Sequence, residues 1–92
     1  SDTIRIAFRN FNPLYSSIED VGSTKFNALD VHKEHLSDGL EINFNNFSVP
    51  TWWQLDRDLS HDLTSPEFSN IVIIDIESGS NHKNGYQLRH GI

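Results

Sequence analysis

The chain has 92 residues, 7 Lys plus Arg against 13 Asp plus Glu, a formal net charge of -6, and neither Cys nor Met. This length supports one domain with one core, and the missing Cys excludes a disulfide scaffold, a thiol nucleophile and Cys-ligated zinc or iron–sulfur sites. The acidic balance argues against a footprint on duplex nucleic acid, which would be basic and clustered, and no apolar run reaches the ~20 residues of a membrane span.

A soluble chain without disulfides is therefore expected. Residues 1–92 read as a single domain, and the missing Met leaves excision from a longer chain as an open alternative. The compartment is not legible. An aromatic content of 11% speaks against a disordered tail.

In chain order, Thr3 to Phe11 alternates Ile4, Ile6 and Phe8 with Arg5, Ala7 and Arg9, the pattern of a half-buried strand. Asn12-Pro13 breaks it. Residues 12–23 read as a loop that Leu14, Tyr15 and Ile18 pin to the core. Ser23 or Thr24 is placed to cap a helix running to about Ser37, with Phe26, Leu29 and Leu36 on one stripe and Gly39 as its stop. Leu40 to Phe47 alternates again and reads as a second strand.

Thr51 and Gln54 have capping-box spacing. They open a helix in which Trp52, Leu55, Leu59 and Leu63 form the buried stripe, ended by Pro66. Ile71-Val72-Ile73-Ile74 has no polar face and reads as a strand covered on both sides. Turn residues between Ser78 and Gly85 then lead to a last strand from Tyr86 to Arg89. The expected fold class is α/β (or α+β): a small mixed four-stranded sheet, order β-α-β-α-β-β, with two helices and right-handed parallel crossovers.

Three constellations carry possible chemistry. Asp75 and Glu77 share a strand face, and strand ends are where open α/β sheets bind ligands. Two carboxylates there suit a divalent metal or an acid–base pair. His32 and His35 are i, i+3 on the expected first helix, which misses the H-E-x-x-H zinc spacing. Trp53 is rotated about 100° from the buried stripe, which makes it the exposed anchor of a partner-binding face with Asp56, Arg57 and Ser60. No G-x-S-x-G elbow, G-x-G-x-x-G turn or P-loop is present.

In size, acidity and the Asp56, Asp58 and Asp62 of a helix that begins with Trp, the chain is similar to small immunity or inhibitor proteins. Those use acidic helix surfaces against basic enzymes. The likeness covers Thr51 to Leu63 and transfers no residue roles. The leading expectation is a non-enzymatic acidic protein-binding module with no cofactor, its partner another protein and, by charge, a basic one. The alternatives are a metal-dependent hydrolase or nuclease using Asp75 and Glu77, and a fragment of a ligand-binding protein.

Overall fold

The computed structural model describes residues 2–36, 39, 41–55, 57 and 62–78, and the backbone of 87–91. Its strands are β1 (Thr3–Asn10), β2 (Lys25–His32), β3 (Ile71–Ser78) and β4 (Gln87–Gly91). They lie in the order β2-β1-β3-β4. Every pairing is antiparallel.

The sheet is therefore not mixed, and the α/β order expected from sequence is overturned. Its body is the antiparallel trio β2-β1-β3. The described helical elements are one four-residue α-helix, α1 (Thr51–Gln54), and 3-10 turns at Val21–Ser23, Lys33–Leu36 and Phe44–Asn46. Among the described residues no parallel crossover joins the strands, so the ligand-binding rule for open α/β sheets does not apply to the end of β3.

The largest correction is at residues 24–37. Three apolar residues at helical spacing suggest a helix, yet Lys25–His32 is a strand paired with β1 over its whole length, from Thr3 opposite His32 to Asn10 opposite Lys25. The strand pattern is also in the sequence: Phe26, Ala28 and Asp30 alternate with Asn27, Leu29 and Val31. β1 is an inner strand and needs a partner on each side, and that tertiary demand outweighs local propensity. Asp30 thus lies on β2 rather than on the expected first helix, and Arg5 Nε donates to its Oδ1 at 2.9 Å.

Adjacent strand residues point to opposite faces, and each face carries its own apolar cluster. Ile6 and Val31 pack with Phe47, flanked by Ile4, Phe8, Leu29 and Phe68. The Phe8 ring stacks on Phe47 with centroids 5.4 Å apart, and Phe44 lies 4.5 Å from Phe68. On the opposite face Ala7, Phe26 and Ala28 pack with Val49, Trp53 and Leu63.

The segment 40–47 was expected as a strand. Among its described residues, 44–46 form a 3-10 turn, capped by Asn43, whose Oδ1 accepts from the Asn45 amide at 2.9 Å. Ser48 then makes a single antiparallel bridge to Ala28.

Among the described residues, the second expected helix is represented by the single turn Thr51–Gln54. Pro50 is its N-cap without a side-chain bond, so Thr51 and Gln54 form no capping box; Gln54 Nε2 donates instead to the Val49 carbonyl at 3.0 Å. Leu63 is buried in the core, but within an irregular segment. Leu59 and Leu40 lie outside the described residues.

β3 is half-covered along Ile71 to Ile74 and fully buried at Asp75, the reverse of what its hydropathy suggests. A register shift between Arg9 and Asn10 moves the β1 partner from Ile73 to Ile71, which leaves Val72 unpaired across the ladder.

Candidate functional site

The loop 12–24 connects β1 to β2 and is almost fully hydrogen bonded. Asn12 starts it: its carbonyl accepts from the Tyr15 and Ser16 amides at 3.0 and 2.7 Å, and its side chain accepts from the Leu14 amide at 3.0 Å. Asn and Asp favour such turns because the side chain substitutes for a backbone acceptor. Ser17 to Asp20 closes a tight turn, with the Asp20 amide donating to the Ser17 carbonyl at 3.1 Å. Ser16 Oγ donates across the base of the loop to the Ser23 carbonyl at 2.9 Å, and Ser23 Oγ accepts from the Ser17 amide at 2.7 Å.

Three long side chains reach into this loop from the core. Arg9 Nη2 donates to the Val21 carbonyl at 2.9 Å. Trp53 Nε1 and Arg57 Nη2 both donate to the Gly22 carbonyl, at 2.9 and 2.6 Å. These bonds bring α1 against the loop, with the Arg57 guanidinium 4.7 Å over the Trp53 ring. Tyr15 packs edge-on to Trp53 with centroids 6.0 Å apart.

Out of this fixed backbone project apolar side chains. Ile18, at the tip of the turn, is 91% exposed, and Leu14 and Val21 are also exposed. On the adjoining turn Leu55 is 73% exposed, three positions from an exposed Trp52. Glu19 and Asp20 stand exposed between Ile18 and Val21.

The two tryptophans thus exchange the roles expected of them. Trp53 is 1% exposed and Trp52 56%. Because the helix begins at Thr51 and the Gly22 carbonyl draws in the Trp53 indole, the buried face is one position later than the leucine stripe implies. Trp53 is not an exposed anchor, and the Arg57 guanidinium is turned inward to Gly22. Asp56 and Ser60, the other two residues of that expected face, lie outside the described residues, as do Asp58 and His61.

Leu14 and Ile18 are corrected as well: neither pins the loop to the core, a role that falls to Tyr15. The signal was available in Ser17-Ile18-Glu19-Asp20, where a lone Ile sits among turn formers with no periodic apolar neighbour.

Asp75 and Glu77 are both buried, on the sheet face that also carries Arg5 and Arg9. Asp75 Oδ2 lies 3.5 Å from Arg9 Nη1. The Asp75 carboxylate is therefore engaged by a guanidinium rather than open at a strand end. His32 and His35 meet edge-on with ring centroids 6.0 Å apart. Among the described residues no three His, Asp or Glu side chains group to hold a metal ion.

A cleft of about 340 Å³ lies between Arg5, Ala28, Asp30, Asn46, Ser48 and Pro50. Its principal charges, Arg5 and Asp30, already satisfy each other, and it lacks the apolar walls of a typical ligand pocket. No described helix is long and apolar enough to cross a membrane.

Compared with models of known families, with curated proteins and with solved structures, the chain matches none. Geometry and chemistry alone therefore bear on its function.

Proposed function

We propose that the chain is a non-enzymatic protein-binding module whose contact surface is the 12–24 loop with the adjoining α1 turn. One observation carries this reading: Ile18, the most exposed large apolar side chain among the described residues, stands at the tip of a turn whose backbone is already fixed by internal hydrogen bonds. A preordered loop loses little conformational entropy on binding. Withdrawing Ile18 and Leu14 from water contributes roughly 1.5–3 kcal/mol each.

The charge defines the partner. Glu19 and Asp20 flank the apolar tip, and the whole chain carries -6. A complementary protein offers an apolar pocket with a basic rim. Trp52 and Leu55 supply an aromatic and aliphatic flank of the kind enriched at interface centres.

The test is photocrosslinking with benzoylphenylalanine at position 18 in lysate of the source organism. The expected result is one saturable adduct with a basic protein, competed by unlabelled wild-type chain and not by Ile18→Asp or by Glu19→Lys/Asp20→Lys. Equal competition by Ile18→Asp overturns the reading. An adduct only with a second copy of the chain also overturns it.

A further inference from the structure

Glu67 is distant in sequence from the loop yet grips its base. Tyr15 Oη donates to Glu67 Oε1 at 2.9 Å, and Asn12 Nδ2 donates to Oε2 at 3.1 Å. Ser69 Oγ donates to Oε2 at 3.2 Å, and Lys25 Nζ lies 3.8 Å from Oε1. The phenol has no choice of direction: Asn10 Nδ2 donates to Tyr15 Oη at 2.8 Å, so the phenolic proton is directed at Glu67.

Glu67 is itself immobilised from β2. The Asn27 side chain accepts from the Glu67 amide at 2.9 Å and donates to its carbonyl at 2.8 Å. Asn27 is fully buried. A carboxylate fixed to the sheet at its backbone and to the loop through both oxygens acts as a clamp between the two.

We propose that Glu67 is a positioning residue for the docking loop: its two carboxylate oxygens preset Asn12 and Tyr15, and so set partner affinity without touching the partner. This rests on the loop being the contact surface. The carboxylate is needed because it faces donors only. An amide at the same place turns an N–H₂ toward the Asn12 amide and the Ser69 hydroxyl, or toward the Tyr15 phenol, and removes the negative charge beside Lys25.

The experiment is amide hydrogen exchange on the free chain, wild type against Glu67→Gln. Tyr15 and Ser16 amides, both bonded to the Asn12 carbonyl, are expected to exchange about 10-fold faster or more in the variant, with β1 amides changed far less. Equal protection at Tyr15 and Ser16, or an equal loss throughout β1, overturns the proposal. Should Glu67→Gln fail to fold, Tyr15→Phe, which deletes the donor to Oε1 together with the acceptor of the Asn10 amide, takes its place.

The second arm is competition in the position-18 crosslinking assay. The variant is expected to need about 10-fold more protein than wild type, the cost of reordering the loop. Faster exchange with unchanged competition overturns the role in binding. Should Ile18→Asp compete like wild type, the docking surface is wrong, while exchange on the free chain still reports whether Glu67 holds the loop.

Discussion

The Asn27 side chain pairs with Glu67 as a strand neighbour would, accepting from its backbone amide and donating to its carbonyl across 40 residues of sequence. The same Nδ2 also lies 2.8 Å from the Phe8 carbonyl and 3.1 Å from Asn10 Oδ1. One buried amide thereby joins β1, β2 and the irregular segment before β3. In that segment it takes the place of a neighbouring strand, supplying one acceptor and one donor to the Glu67 backbone.

Asn27→Ala is accordingly expected to be among the costlier single substitutions. It removes the partner of both the Glu67 amide and the Glu67 carbonyl beside a fully buried position, and each group left unsatisfied in a buried place costs about 1–3 kcal/mol. A loss of about 3 kcal/mol or more in urea denaturation is expected, and a loss under about 1 kcal/mol would show that water replaces the amide.

The exchanged roles of the tryptophans give a paired prediction. Trp53→Ala removes a buried indole and its bond to Gly22, and is expected to destabilise by about 3–5 kcal/mol. Trp52→Ala exposes part of Phe26, whose ring lies 5.1 Å away, and is expected to cost about 1 kcal/mol or less. Thermal unfolding of the two variants distinguishes them, and the reverse order would restore Trp53 as the exposed residue.

β1 was legible because Ile4, Ile6 and Phe8 alternate with Arg5, Ala7 and Arg9 without interruption, and β3 because Ile71 to Ile74 has no other use. β2 was misread since three residues at helical spacing outweighed a weaker alternation, and nothing local records that β1 lacks a second partner. The proposed binding surface was half legible: Trp52 and Trp53 mark the turn, but which one is buried depends on the carbonyl of Gly22, 31 residues away from Trp53. The burial of Asp75 was hidden for the same reason, since its partner Arg9 is 66 residues away.

That ion pair yields a third prediction. Asp75 has no exposed surface, and Arg9 also supports the loop through the Val21 carbonyl. Arg9→Met takes the guanidinium from a buried carboxylate and is expected to cost about 3 kcal/mol or more. The double variant Arg9→Met/Asp75→Leu, with no buried charge at this pair, is expected to regain most of that loss in denaturant titrations. No recovery would mean that the Arg9 bond to the loop dominates.

Asn70 supplies a fourth. Its φ of 55° lies in the left-handed region, where Asn and Gly are tolerated and β-branched residues are strained. It sits at the register shift of β1 on β3, and its side chain donates to the Phe11 carbonyl at 3.0 Å. Asn70→Gly is expected to change stability by less than about 1 kcal/mol, and Asn70→Val to cost about 2 kcal/mol. Melting temperatures of the two variants check this, and equal values would show that the bend does not depend on that dihedral.

Lys25 and Tyr15 make opposite contributions at alkaline pH. The Lys25 ammonium is almost wholly buried, with Nζ donating to the Asp62 and Ser65 carbonyls at 2.8 and 2.9 Å and lying 4.9 Å from the centre of the Tyr15 ring. Burial holds its pKa below the usual 10.5. The folded chain therefore releases this proton before the unfolded chain does, and stability rises with pH through that window. Burial pushes the Tyr15 phenol well above its usual 10.0. Its contribution is full below pH 10.0 and is lost only as pH climbs through the raised folded value. Urea titrations from pH 7 upward are expected to show wild type gaining on Lys25→Met as pH approaches about 10. Tyr15→Phe is expected to keep that gain while removing the fall at higher pH. A constant difference between wild type and Lys25→Met across the range would mean that Lys25 titrates alike in the folded and unfolded chain.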